Sequence, residues 1–278
     1  MTQTFGPLRS MSPHQLQQAV KWIVYLLLLI NFGRYIYDDW NRANHVLTES
    51  SKFLDWTREF ATTIDLMAWF TLLFMFELET YILGDRQWKG WVAYTVRGLR
   101  IICIVMIAHT VYAFVVTILQ LQPTVPLETN NLCKLDKEVS YVYNLRYEDV
   151  GVNNCAELSA GREFYWVGND PVVSTLEGLE LERDLAWADL AEVLIWLAVL
   201  FAIEAVVRLQ DRGVSGGRLI MTLTRGKIAL YGVLIGIGIY WASLSHWLYL
   251  WDELVWIAGF SAIEMNLKDW RTELIEEI

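Results

Sequence analysis

The sequence predicts an all-α integral membrane protein: a six-transmembrane-helix bundle with a parallel internal repeat and a small, disulfide-stapled extracytoplasmic cap. Three observations carry that expectation. The 278 residues are 55% hydrophobic with a mean hydropathy of +0.31, whereas ordinary soluble domains are roughly 45–50% apolar. Six apolar stretches approach the about 20 residues that a spanning helix needs. A polar signature, acid-x3-Trp-x4-Phe/Ser-x2-Glu-x3-Tyr/Arg/Lys, recurs on three of them.

The stretches are 20–37, 61–83, 100–121, 187–208, 227–250 and 253–268. The last is short and rests on its repeat partners. The first twenty residues lack the basic–apolar–cleavage layout of a signal peptide, so the first stretch is expected to stay as an anchor. Fourteen Trp and thirteen Tyr suit aromatic belts at both interfaces. Arg86, Lys89, Arg97 and Arg100 follow the second stretch, and Arg208, Arg212, Arg218, Arg225 and Lys227 follow the fourth. The excess of bases places both connections in the cytoplasm, with both termini. A turn at 251–253, acidic and without a base, then lies outside. Arg34, Arg42, Lys52 and Arg58 in the first external stretch run against this orientation. The expected location is the plasma membrane, the inner one if the source is bacterial.

Three sections follow: helices one to three in 1–121, an acidic extracytoplasmic cap in 122–186, and helices four to six with a tail in 187–278. The cap holds twelve acids against five bases and two of the three cysteines. Outside the cell, Cys133 and Cys155 are expected to pair, while Cys103 sits inside a span as a small core residue. SYVYNLRY reads as a short strand, and REFYWVGNDP as a strand running into a turn.

The signature copies are Asp65, Trp69, Phe74, Glu77, Tyr81; Glu192, Trp196, Phe201, Glu204, Arg208; and Asp252, Trp256, Ser261, Glu264, Lys268. At about 100° per residue the acid, Trp, Glu and final residue fall near 0°, 40°, 120° and 160°, on one half of a helix. The acid and the Glu lie roughly 18 Å apart along the axis. The repeat continues as Arg97-Gly98 with Tyr112 and Arg225-Gly226 with Tyr240. Asp65, Glu192 and Asp252 are therefore expected as an outer acidic ring. Glu77, Glu79, Glu204 and Glu264 are expected at the inner leaflet as candidates for an ion path.

A plainer reading stands beside this one. Glu204 with Arg208 and Glu264 with Lys268 are i,i+4 pairs worth about 0.2–0.5 kcal/mol each in water, and the Trp residues belong to an interfacial belt. Glu77 has no base at i+4 and has Glu79 two residues away. The run Phe201-x2-Glu204-x3-Arg208 resembles the second helix of voltage-sensor domains, in which a Phe and an acid line the passage of gating arginines. The resemblance covers eight residues. The helix with a basic residue at every third position, and the filter loop after the fifth span, are not found here, so that function is not carried over.

Other chemistry is sparse. His109 and His246 stand about 13 Å apart in depth by helical rise, too far for two axial ligands of one haem. Ser243, Ser245 and His246 lack a nucleophile elbow, and no zinc-protease motif occurs. Gly232-x3-Gly236 is expected to admit a neighbouring helix. No cofactor or metal is implied, and a net charge of −10 argues against nucleic acid. The partners expected are the lipid bilayer and other membrane subunits or further copies of the chain. Two functions follow: transport or conduction of a proton or small cation, or a non-catalytic assembly subunit of a larger membrane complex.

Overall fold

Among the described residues, six long helices pack in a closed circuit, each against the next, and a small sheet covers one end. The computed structural model describes residues 13–78, 90–135, 138–212, 214 and 216–276, without the side chains of 13–17, 76, 93, 207, 210, 211 and 262–276. The helices are α1 (Pro13–Val46), α2 (Phe53–Glu59), α3 (Ala61–Glu77), α4 (Trp91–Leu121), α5 (Cys155–Ser159), α6 (Leu176–Asp211), α7 (Arg218–Ser243) and α8 (Trp247–Glu276). The circuit runs α1–α3–α4–α6–α7–α8 and back to α1. Four segments are long and apolar enough to cross a membrane: Gln18–Val46, Tyr94–Leu121, Leu176–Val206 and Arg218–Ser243. Ala61–Met75 is apolar but shorter.

Sequence pattern explains which faces turn inward. On α1 the buried positions are Lys21, Val24, Leu28, Asn31, Asp39, Ala43 and Val46, the three-and-four spacing of one helical stripe. That stripe is part polar, which matters below. Its other faces expose Trp22, Ile23, Leu26, Leu29 and Ile30, apolar surface suited to lipid tails.

The cap is a five-stranded sheet ordered β1-β4-β5-β2-β3, from Val125–Pro126, Tyr165–Trp166, Val172–Ser174, Ser140–Tyr143 and Arg146–Asp149 respectively. Only β2 and β5 pair in parallel; the other pairs are antiparallel. Leu127, Leu132, Val139, Cys155, Phe164 and Val173 give it a core of its own. Cys133 and Cys155 are disulfide-bonded, with Cα atoms 5.1 Å apart, and join a 3₁₀ turn to α5. Arg183 on α6 ties the cap to the bundle: Nε donates to Leu121 O at 2.6 Å and Nη2 to Gln122 O at 2.8 Å. It thereby satisfies carbonyls left open at the end of α4.

Three local expectations are corrected. SYVYNLRY is a hairpin rather than one strand: Asn144 and Leu145 adopt φ of 55° and 59° between β2 and β3, as a tight two-residue loop requires. The turn expected at 251–253 lies at 244–246, where Ser245 has φ 71° and His246 N donates to Trp241 O at 2.9 Å. Asp252 and Glu253 consequently lie within α8. Close helix approach occurs at Gly238, where an added Cβ would stand 3.1 Å from the Leu250 Cα, while Gly232 and Gly236 face open space.

Candidate functional site

A cavity of about 690 Å³ lies inside the cap end of the bundle. Its walls come from α1, α3, α6, α7 and α8 and from the β2–β3 hairpin, and they include Asp65, Glu192 and Asp252. Helical phase explains the meeting. Asp65 and Asp252 each lie near the start of their helices, whereas the first turns of α6 rise into the cap. That offset brings Glu192, seventeenth in its helix, level with the other two.

The acids are differently satisfied. Asp252 Oδ1 accepts from Asn31 Nδ2 at 2.6 Å, and Asp65 Oδ2 accepts from Trp69 Nε1 at 3.0 Å. Asp39 Oδ2 accepts from Thr63 N and Oγ1 at 2.9 and 2.7 Å. Arg34 pairs with Asp38 at 3.0 Å, and Arg42 with Glu59 at 2.9 Å and Asp39 at 3.8 Å. Among the described residues no salt bridge reaches Asp65, Asp189, Glu192 or Asp252, which line the cavity, or Glu253 beside Glu192. Three buried polar atoms on or beside the wall close no hydrogen bond: Asp65 Oδ1, Glu253 Oε2 and Trp241 Nε1. Such atoms are costly without a partner.

Beneath the acids lies an aromatic floor, of which Trp196 lines the cavity while Trp69 and Trp256 pack against Trp196. Trp69, Trp196 and Trp256 are 5%, 8% and 6% exposed. The ring of Trp196 lies 6.0 Å from Trp69 and 6.5 Å from Trp256, and Phe260 lies within 6.0 Å of all three. The belt reading of these Trp residues is therefore corrected. A belt faces the headgroups, whereas the acid-x3-Trp spacing turns the indole one helical turn below its acid, toward the bundle axis. Trp196 Nε1 donates to Glu253 Oε1 at 3.2 Å, so floor and acids are joined.

Glu77 and Glu204, nearer the far end, each have their own partners. Glu77 bonds Lys21 Nζ at 2.5 Å and accepts from Tyr25 OH at 2.6 Å, both from α1. Glu204 pairs with Arg208 at 2.7 Å on a partly exposed face. Glu79 lies outside the described residues, as does the side chain of Glu264.

The mouth of the cavity is ordered by hydrogen bonds across elements. Asn144 Nδ2 donates to Leu244 O at 3.0 Å, and Asn144 Oδ1 meets His246 Nε2 at 2.9 Å. Leu145 N donates to Glu182 Oε1 at 2.9 Å. All three non-glycine residues with positive φ among the described residues (Asn144, Leu145, Ser245) lie here. Strained backbone that persists is held by its surroundings. Burial and the neighbouring Arg146 charge hold the His246 imidazole below its ordinary pKa. His109 is distant in role: its Nε2 bonds Thr57 O at 3.2 Å and joins α4 to α2.

Asp189, Glu253, Asp39 and Tyr35 are the site residues that sequence reading missed. Asp189 had a signal, since it precedes Glu192 by three residues on an apolar helix and shares its face. Glu253 was concealed by the turn assigned to its position. Among the described residues no group of three or more His, Cys, Asp or Glu is arranged to hold a metal ion. Comparison with known proteins gives no match to a family model, a curated protein or a solved structure.

Proposed function

We propose that the chain is a transporter or channel that takes a proton or small cation into an acidic vestibule and passes it across a plasma membrane. One observation carries this reading: a cavity inside the bundle presents Asp65, Asp189, Glu192 and Asp252 with no base in salt-bridge contact among the described residues. Carboxyl groups without a basic partner inside a helix bundle are the usual mark of an ion or proton pathway. In this reading α3 and α8 join the four long apolar helices as membrane spans. Both termini lie in the cytoplasm and the cap outside, so that the cavity opens outward.

The aromatic floor is then the closed barrier. Below it, Lys21 occupies Glu77, so a cation moving inward must replace Lys21 at that carboxylate or pass it by. Glu192 and Glu253 stand side by side at the floor. Two neighbouring carboxyls can hold one proton between them, which offers a way to exchange a proton for a cation.

The test is flux into proteoliposomes, comparing the wild-type chain with Glu192→Gln and Asp252→Asn. The expected result is loss of most cation or proton flux in both. Flux unchanged by either substitution, or none in the wild-type chain under any gradient, overturns the proposal.

A further inference from the structure

The cavity wall carries basic as well as acidic side chains. Arg146, at the start of β3, lines the mouth and forms no salt bridge among the described residues. Arg34 lines the cavity beside it, its charge partly spent on Asp38. An arginine without an acidic partner on such a wall is free to bind an anionic group. The interior carries the opposite sign: Asp252 stands six residues along α8 from His246 at the rim, roughly 9 Å deeper before the side chains reach toward each other.

From this bipolar wall we infer that the cavity takes a zwitterion, an ammonium joined by a short linker to a phosphate, with the phosphate at Arg146 and the ammonium among Glu192, Asp252 and Tyr35. This rests on the proposed reading of the cavity as a cation site and names the molecule that carries the cation. A guanidinium suits phosphate because its forked donors match two phosphate oxygens. Carboxylates beside aromatic rings suit an ammonium, and Tyr35 and Tyr249 stack at 5.6 Å on the same wall. The volume, about 690 Å³, lies in the range of small-molecule sites and far exceeds a bare ion. The same chemistry has two sources, a soluble phosphoammonium compound and the headgroup of an aminophospholipid. The lining includes residues of α1, the α7–α8 turn and the cap hairpin.

The experiment uses the full chain, purified in detergent and, separately, in vesicles. Binding is measured calorimetrically for phosphoethanolamine, ethanolamine and inorganic phosphate. Phosphoethanolamine is expected to bind about tenfold or more tightly than either fragment, since each charged end adds on the order of a tenfold gain. Arg146→Gln is expected to remove that advantage while leaving ethanolamine within about twofold. Asp252→Asn is expected to weaken both amines. Arg146 is exposed and Asp252→Asn is isosteric; unchanged melting temperatures show that each variant folds. Native mass spectrometry of chain from vesicles containing phosphatidylethanolamine and phosphatidylglycerol tells the sources apart. Selective retention of the amine lipid assigns the headgroup, and its absence beside tight binding of the free compound assigns the soluble molecule. The inference is overturned if ethanolamine binds as tightly as phosphoethanolamine, or if Arg146→Gln strengthens or does not alter binding. Rubidium flux that remains sensitive to Asp252→Asn, with no zwitterion bound, ends this inference alone. Failure of both ends the proposed function with it.

Discussion

Lys21 and Glu77 show what one buried pair demands of a membrane helix. Their side chains are 8% and 18% exposed and meet between α1 and α3. Removing one member of such a pair strands the other charge, at a cost of about 3–5 kcal/mol, whereas removing both is often near neutral. Lys21→Met is therefore expected to lower the melting temperature in detergent substantially, and Lys21→Met with Glu77→Gln to recover most of the loss. Equal loss in single and double variants would show that the pair contributes packing only. Glu204 with Arg208 is the contrast. Both are partly or fully exposed, and surface pairs contribute little, so Glu204→Gln should shift stability hardly at all. The two glutamates share a position in the sequence signature but not an environment. Helical spacing is a local property and was legible. The partner of Glu77 lies 56 residues away on another helix, and no single-sequence pattern encodes which helix will stand opposite.

At the scale of elements, the cap and the α7–α8 turn govern the cavity mouth. The disulfide closes a segment of 22 residues, for which chain entropy predicts about 3 kcal/mol of stabilisation. Cys133→Ser with Cys155→Ser is expected to raise amide exchange across β2–β5 while α4 and α7 stay protected. Uniform exchange in both regions would mean that cap and bundle unfold as one. The cap also carries a pH dependence. Asp170, in the turn before β5, is raised to about 6 by burial and then by the charge of Glu59, with Arg58 and Arg42 opposing and Asp55 adding to the rise. Because its folded pKa exceeds the ordinary value of 3.8, the folded cap holds this proton longer than the unfolded chain does. Its favourable contribution is full below about pH 4 and is lost as pH rises toward 6. Asp170→Asn is expected to flatten stability over that window, measured by cap exchange between pH 4 and 7. The sequence showed two strand-forming runs here but not the hairpin, because Asn-Leu is an uncommon pair for two positive φ angles. Leu145 is held there by Glu182 and Asn144 by the α7–α8 turn, contacts that only the tertiary fold supplies.

At the scale of the whole molecule, three copies of one spacing build one chamber. Each acid-x3-Trp pair contributes a carboxyl to the wall and an indole to the aromatic cluster around Trp196, and the closed circuit of helices brings the copies face to face. The periodicity that made the copies visible is the geometry that aligns them. The misplaced turn at 251–253 hid Glu253 because adjacent acids read as loop when their partner, Trp196 on another helix, is unknown. What the chamber faces decides its use, and this can be measured directly. Cys103 is 1% exposed and the other cysteines are bonded, so a new cysteine reports with little background. Val152, 94% exposed on the cap, and Leu219, 55% exposed at the opposite end in the first turn of α7, make the pair. In intact cells an impermeant maleimide is expected to label Val152→Cys at once and Leu219→Cys only after the membrane is opened, because the proposed orientation puts the bases flanking α7 on the cytoplasmic side. The reverse pattern would turn the mouth inward. The acidic wall would then collect its ligand from the cytoplasm, and an exporter would replace the uptake route proposed here. Labelling of both without permeabilisation would remove the spanning bundle itself.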